Sequence, residues 1–212
     1  MFKTIKEANK YVGGLSEPSK MPCPSYSIPA KECPLGKIMR NVKGSACSAC
    51  YALKGRYSFK GVQNALYRRY ASLKMPLWAE AMAFLVTKKG LDFFRWHDSG
   101  DLAGVWHFEK IVEVAKRCPN CTFWLPTRQS NFIKEFLDAG GIVPENLTVR
   151  LSGTMIDGPA PTGFAKSNGF PVSSISSDIS RVNCEAFKQG GKCLDCRKCW
   201  DKNVHEVVYK KH

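Results

Sequence analysis

The run CLDCRKCW, from Cys193 to Trp200, constrains this chain more than any other stretch of it. Cys193, Cys196 and Cys199 are each separated by two residues, so three thiolates can wrap one metal cluster as the bacterial ferredoxin run does. Cys184 lies upstream, with eight residues between it and Cys193, and supplies a fourth thiolate. Between Asn183 and Trp200 there are too few apolar side chains for a core of their own, so this tail is expected to fold around a metal. Zinc sites more often use two separated CxxC knuckles. The spacing therefore favours an iron-sulfur cluster and leaves zinc as the alternative at this C-terminal site.

The chain carries ten cysteines, and their chemistry depends on the compartment. The opening MFKTIKEANKYVGG has no apolar core of a secretory signal, and no apolar run of about 18 residues occurs. A cytoplasmic chain without a membrane partner is expected, and a reducing cytosol makes metal ligation a better reading than disulfides. Cys33, Cys47 and Cys50 fall on a basic loop that follows the first predicted strand, Ser25 to Pro29. Three protein ligands leave one iron open to a substrate, a water or the amino and carboxylate groups of S-adenosylmethionine (SAM). The alternative is a fourth ligand from Cys23 or from the tail. Cys118 and Cys121 form a CPNC pair that would be redox-active only with a depressed thiol pKa. They read as apolar packing, as does Cys23 between Pro22 and Pro24.

Periodicity places these groups on a fold. Apolar residues at helical spacing predict helices over Val62 to Leu73, Leu77 to Lys88 and Val105 to Arg117, and another that Ser130 would cap and that runs through Leu137. Strands are expected at Asp92 to His97, Thr122 to Pro126, Leu147 to Leu151, Pro171 to Ile175 and Val204 to Tyr209, with loops at Lys31 to Ser48 and Asp157 to Gly169. Strands alternating with helices give an α/β chain with a parallel sheet or a partial (β/α) barrel. With 212 residues there is room for one substantial core. The expected organisation is a partial barrel over 1–180 with its cysteine loop at 31–51, and a Cys-rich extension over 181–212 packed on it.

The segment FRWHDSGD ends at the carboxyl edge of a predicted strand, where ligands bind in such folds. His97, Asp98, Ser99 and Asp101 are candidates for substrate contact or proton transfer, His97 and Asp98 being the catalytic candidates. A core histidine and a capping aspartate explain the same residues equally well. Arg128 and Arg150, also at strand ends, could grip a carboxylate or phosphate, with surface solvation the equal alternative for each. The formal charge of +14 favours nucleic acid or another polyanion as partner. Between Cys50 and Pro76 six Lys or Arg alternate with five aromatic residues and no Asp or Glu, a composition suited to phosphates and bases.

The stretches MPCPSYSIPAKECP, CSACYALKGRY, FRWHDSGD, TFWLPTR, TVRLS and NCEAFKQGGKCLDCRKCW together resemble the phage-borne family named after gene product eighty-eight. CYALKGR and the closing CxxCW are the specific parts of that resemblance, which spans most of the chain. It implies metal ligation by Cys33, Cys47, Cys50, Cys184, Cys193, Cys196 and Cys199. The family's layout is similar to that of radical SAM enzymes, which places Ser99, Gly100 and Asp101 where the SAM amino group is held, Asp101 standing for a glutamate. LPTRQ, around Thr127, would follow the third strand. That superfamily usually carries CxxxCxxC, whereas thirteen residues separate Cys33 from Cys47 here. The expected function is that of a radical-SAM-like protein of phage origin in the host cytoplasm, with one or two 4Fe-4S clusters, an electron donor and an unknown substrate. The alternatives are a non-catalytic iron-sulfur protein for electron transfer, iron storage or sensing, and a zinc-binding nucleic-acid protein.

Overall fold

The computed structural model describes residues 2–211. Helix α1 (Ile5–Tyr11) is capped by Thr4, whose hydroxyl accepts from the Glu7 amide, and leads to a two-residue strand β1 (Ser25–Tyr26). The cysteine loop, expected to be irregular, contains a short helix α2 (Pro34–Met39) with proline at its first position and Cys33 as its cap. Helices α3 (Lys60–Ser72) and α4 (Trp78–Lys88) follow, then β2 (Phe93–Trp96), α5 (Val105–Arg117), β3 (Thr122–Thr127) and α6 (Ser130–Asp138). Ser130 is the first helical residue and Gln129 the cap, so the expected serine cap is not made. Strand β4 (Leu147–Ile156) runs well past the expected Leu151. The Pro- and Gly-rich stretch after it holds a one-turn helix α7 (Thr162–Ser167), followed by β5 (Val172–Ser176) and β6 (Glu206–Lys210).

The six strands form one all-parallel open sheet in the order β1-β2-β3-β4-β5-β6. Each strand lies beside its predecessor, so the order has no reversal of the doubly wound kind. Successive strand side chains point to opposite faces, and the two faces differ. Phe94, Trp96, Phe123, Leu125, Leu147, Val149 and Leu151 enter the main core with Trp78, Met82 and Leu85 of α4, Phe108 and Ile111 of α5, and Ile133 and Phe136 of α6. In α5 the buried set Phe108, Ile111, Val112 and Ala115 keeps the 3.6-residue period that predicted the helix.

The alternate positions Phe93, Arg95, Trp124, Thr148 and Arg150 face the other way, where the Cys-rich tail covers them. Trp200 packs on Trp124 with ring centroids 5.0 Å apart, and its indole N–H donates to the Phe94 carbonyl at 2.9 Å. Parallel sheets need cover on both faces. Here helices supply one layer and an irregular segment supplies the other. Segment 181–212 also donates β6, which pairs with β5 from Val172 opposite Glu206 to Ser176 opposite Lys210. Among the described residues no helix is long and apolar enough to cross a membrane.

Candidate metal centre

The loop cysteines converge. Cys33, Cys47 and Cys50 line one cleft together with Gly36, Arg40, Gly100, Asp101 and Arg128. Strand β4 explains how a loop this long is held. Its extra residues reach the loop, with the Ala46 amide donating to the Thr154 carbonyl at 2.8 Å and the Ile156 amide to the Gly44 carbonyl at 2.9 Å. Arg40 clamps the other side, donating to the carbonyls of Gly36 and Ala30. The cleft thus sits over the carboxyl ends of the strands.

Local chemistry fits a sulfur ligand at Cys33. The Gly36 amide donates to its Sγ at 3.3 Å, and a Cβ at position 36 would stand 3.1 Å from that sulfur. Burial, with the Asp101 carboxylate beside it, pushes the Cys33 thiol up to about 12, and burial raises Cys47 as well. Such thiols ionise only opposite a compensating cation. No group of three or more His, Cys, Asp or Glu among the described residues is drawn close enough to hold a single metal ion.

The HDSGD turn is built mostly from internal bonds. Gly100 has φ of +78°, and a Cβ there would lie 2.4 Å from Ile28 Cγ1 and 2.7 Å from the Ile28 carbonyl oxygen. Ser99 donates to the Ile28 carbonyl at 3.1 Å. Asp101 lines the cleft but accepts from the Thr127 hydroxyl at 2.6 Å and from the Leu102 and Arg128 amides. Asp98 accepts from the hydroxyls of Ser25, Ser27 and Tyr57 through its carboxylate, while the Tyr51 hydroxyl donates to its carbonyl. Since Tyr51 follows Cys50, Asp98 latches the cysteine loop to the end of β2.

His97 is not on the cleft. It is buried at φ of +56°, its ring lies 5.2 Å from that of His107, and neither of its ring nitrogens has a hydrogen-bond partner. Burial lowers its pKa well below the usual range and pushes His107 down to about 3.

Arg150, read from the sequence as an anion site, is occupied. It is fully buried, and its guanidinium donates to the carbonyls of Cys199, Val172, Val204, Lys198 and Asp201. Those five bonds use its whole donor set and fix the tail on the sheet. Cys184 lies within electrostatic reach of Cys193, Cys196 and Cys199. Cys199 Sγ is 3.2 Å from the Tyr209 hydroxyl. Cys23 packs with Trp124 and Trp200 on the tail side and does not line the loop cleft. Cys118 and Cys121 are buried in the main core, and burial raises both thiols, so the depressed pKa of a redox pair is not met.

Gly36 and Arg95 escaped the sequence reading. A glycine three residues after a ligand cysteine was the available signal for the first. Arg95 lies between the two cysteine groups: it stacks over Trp124 at 4.6 Å and donates to Met21 Sδ at 3.3 Å, while Met21 Sδ is 3.8 Å from Cys193 Sγ. Its Nε is shut off from solvent without a partner.

A protein-family model described as Gene product 88 matches residues 2–202. The chain belongs to the gene product 88 family. No curated protein and no solved structure matches it. The match covers the loop cysteines and the tail cysteines alike.

Proposed function

We propose that this gene product 88 family member is a radical-SAM-like iron-sulfur enzyme, with a 4Fe-4S cluster held by Cys33, Cys47 and Cys50 and its fourth iron open to SAM. The observation that carries the reading is the cleft itself: three thiols, no fourth cysteine, and Gly100 and Asp101 on the same wall. The unreversed order of six parallel strands supports a partial barrel, and the cleft lies at the end of the strands where such barrels hold their ligands. Held by Cys33, Cys47 and Cys50, such a cluster would supply reductive cleavage of SAM at the sulfonium-C5′ bond, with the electron coming from an external reductant such as dithionite.

The chain's own residues hold and screen that site. The Gly36 amide dipole faces the Cys33 sulfur, which steadies thiolate charge. Arg128, anchored by its Nε to the Gly153 carbonyl at 3.0 Å, brings a cation to the same wall. Asp101 is kept in place by its three donors and offers the edge of a carboxylate to an amino group. The tail thiols Cys184, Cys193, Cys196 and Cys199 form a second metal group with every position filled by protein, an auxiliary cluster or a structural zinc.

Anaerobic purification with iron, sulfide and zinc quantitation tests the metals. Incubation of that sample with dithionite and SAM should then yield 5′-deoxyadenosine in wild type and none in Cys33→Ala. An intact cluster that produces no 5′-deoxyadenosine overturns the enzymatic reading. A colourless, iron-free protein that is folded as before overturns the cluster as well.

A further inference from the structure

The stretch that carries the three thiols has no acidic residue. From Cys33 through Ala79 there are nine Lys or Arg and no Asp or Glu. Seven of the nine are exposed; Arg40 is the half-buried clamp, and Arg69 is buried with its guanidinium on the Gly14 and Leu15 carbonyls. Two of the exposed cations, Lys37 and Lys54, directly follow the cleft-lining residues Gly36 and Leu53 in the chain. The Tyr67 hydroxyl on α3 reaches Glu32 at 3.4 Å, Glu32 pairs with Lys37 of α2 at 2.9 Å, and Cys33 follows Glu32 in the chain. The outer face of α3 is therefore continuous with the rim of the cleft, and Lys37 neutralises the one carboxylate between them.

Large apolar side chains lie on the same surface. Phe59 is 62% exposed, Ile38 68% and Tyr67 41%. Phe59 and Tyr67 thus leave flat rings open to solvent on this basic stretch. Lys37 lies within electrostatic reach of the Tyr67 hydroxyl, and Lys60 and Arg68 are exposed on α3 itself.

We propose that this rim binds single-stranded nucleic acid and presents a nucleotide of it to the cleft. The proposal rests on the reading of the cleft as the reactive site and adds the substrate class to it. Flat rings accept unpaired bases by stacking, and interleaved cations follow the backbone phosphates. Duplex hides its base faces, and a recessed cleft is reached only by a base taken out of the stack. An acidic peptide would satisfy the cations and leave the rings uncovered.

The test is fluorescence anisotropy of a labelled oligothymidylate of about 20 nucleotides with the anaerobically purified full chain, titrated at several salt concentrations. Lys54→Glu/Lys60→Glu/Arg68→Glu is expected to weaken binding and to reduce the log-log salt slope by about two, since each lost contact to a single strand removes about 0.7. Lys88→Glu/Lys116→Glu/Lys166→Glu makes the same change of net charge on exposed positions of α4, α5 and α7; it should leave affinity and slope near wild type. Phe59→Ala and Tyr67→Ala should each weaken binding roughly fivefold or more by the lost stacking, with the slope unchanged. Equal effects of the two charge reversals would overturn the proposal, because net charge alone would then explain binding. So would no effect of the ring variants, or equal competition by polyglutamate. Iron-loaded protein that fails to bind sinks this inference alone. Iron-free protein that binds with the expected variant pattern sinks the cluster reading and leaves the nucleic-acid surface standing.

Discussion

The two cysteine groups are held by opposite means. The loop thiols line a cleft and are positioned from outside, by the Asp98 latch on Tyr51 and Tyr57, by the end of β4 and by Arg40. The tail thiols lie on a segment that fills the second face of the sheet, with Trp200 wedged on Trp124 and Arg150 bonded to five carbonyls. In the loop the protein frames a space. In the tail the ligand-bearing chain is itself the packing layer. On the proposed reading, a metal at the tail would be tied to folding, whereas a metal at the loop would be a passenger on a frame that other bonds maintain.

Removing one ligand from each group is the sharpest way to break that contrast. Cys196→Ala is expected to cost more than about 4 kcal/mol, because metal affinity at such a site is folding free energy, while Cys33→Ala should change stability little and abolish 5′-deoxyadenosine formation. Denaturant unfolding of both variants, with metal content measured alongside, decides it; equal losses of stability would erase the distinction. Arg150→Met strips the tail's anchor and leaves buried carbonyls unpaired, with an expected loss of about 4 kcal/mol. The same variant should lose tail metal and retain the loop's, as read by iron and zinc per chain.

Gly100→Ala attacks the frame instead. A methyl group meeting Ile28 in the left-handed region should cost about 3 kcal/mol from strain and overpacking. Thermal unfolding checks the cost, and a variant as stable as wild type would mean that the turn is looser than its contacts indicate.

The smallest effect concerns pH. His97 and His107 are neutral in the fold because burial opposes the imidazolium, and the Lys110 charge adds to this at His107. Their folded pKa values lie below the unfolded value of about 6.5. As pH falls through 6.5 the unfolded chain takes up protons that the fold refuses, so stability declines by about 1.4 kcal/mol per pH unit for each histidine. In His107→Phe the decline between pH 6.5 and 5 should be shallower by one such share. Parallel slopes in variant and wild type would show that His107 titrates normally.

Legibility in the sequence followed the range of the interactions. Helix α5 was readable at both ends because its apolar stripe is a property of adjacent turns, and the same holds for α3 and α4 to within two residues. Helix α2 was hidden because Cys33 was weighed as a ligand and not also as a cap, although Pro34 marks a first helical turn. The extra length of β4 could not be read, since SGTMI lacks strand alternation and is held by a loop more than a hundred residues earlier. Arg150 was misassigned for the same reason: four of its five partners are tail carbonyls 48 to 54 residues away. Arg69 sits in a basic run but turns inward to Gly14 and Leu15. The grouping of Cys33, Cys47 and Cys50 was readable, while the separation of Cys23 from them depends on which face of the sheet it meets.

Strand β6 and Trp200 come from the same late stretch of the chain, which bears on the order of assembly. A ribosome delivers β1 through β5 and the loop frame before it delivers the piece that seals the inner face and pairs the β5 edge. Until then Trp124 and that strand edge are bare, the kind of surface that chaperones hold and that sticks to neighbouring chains. Nascent chains stalled ahead of Cys184 would therefore be the species most prone to aggregate.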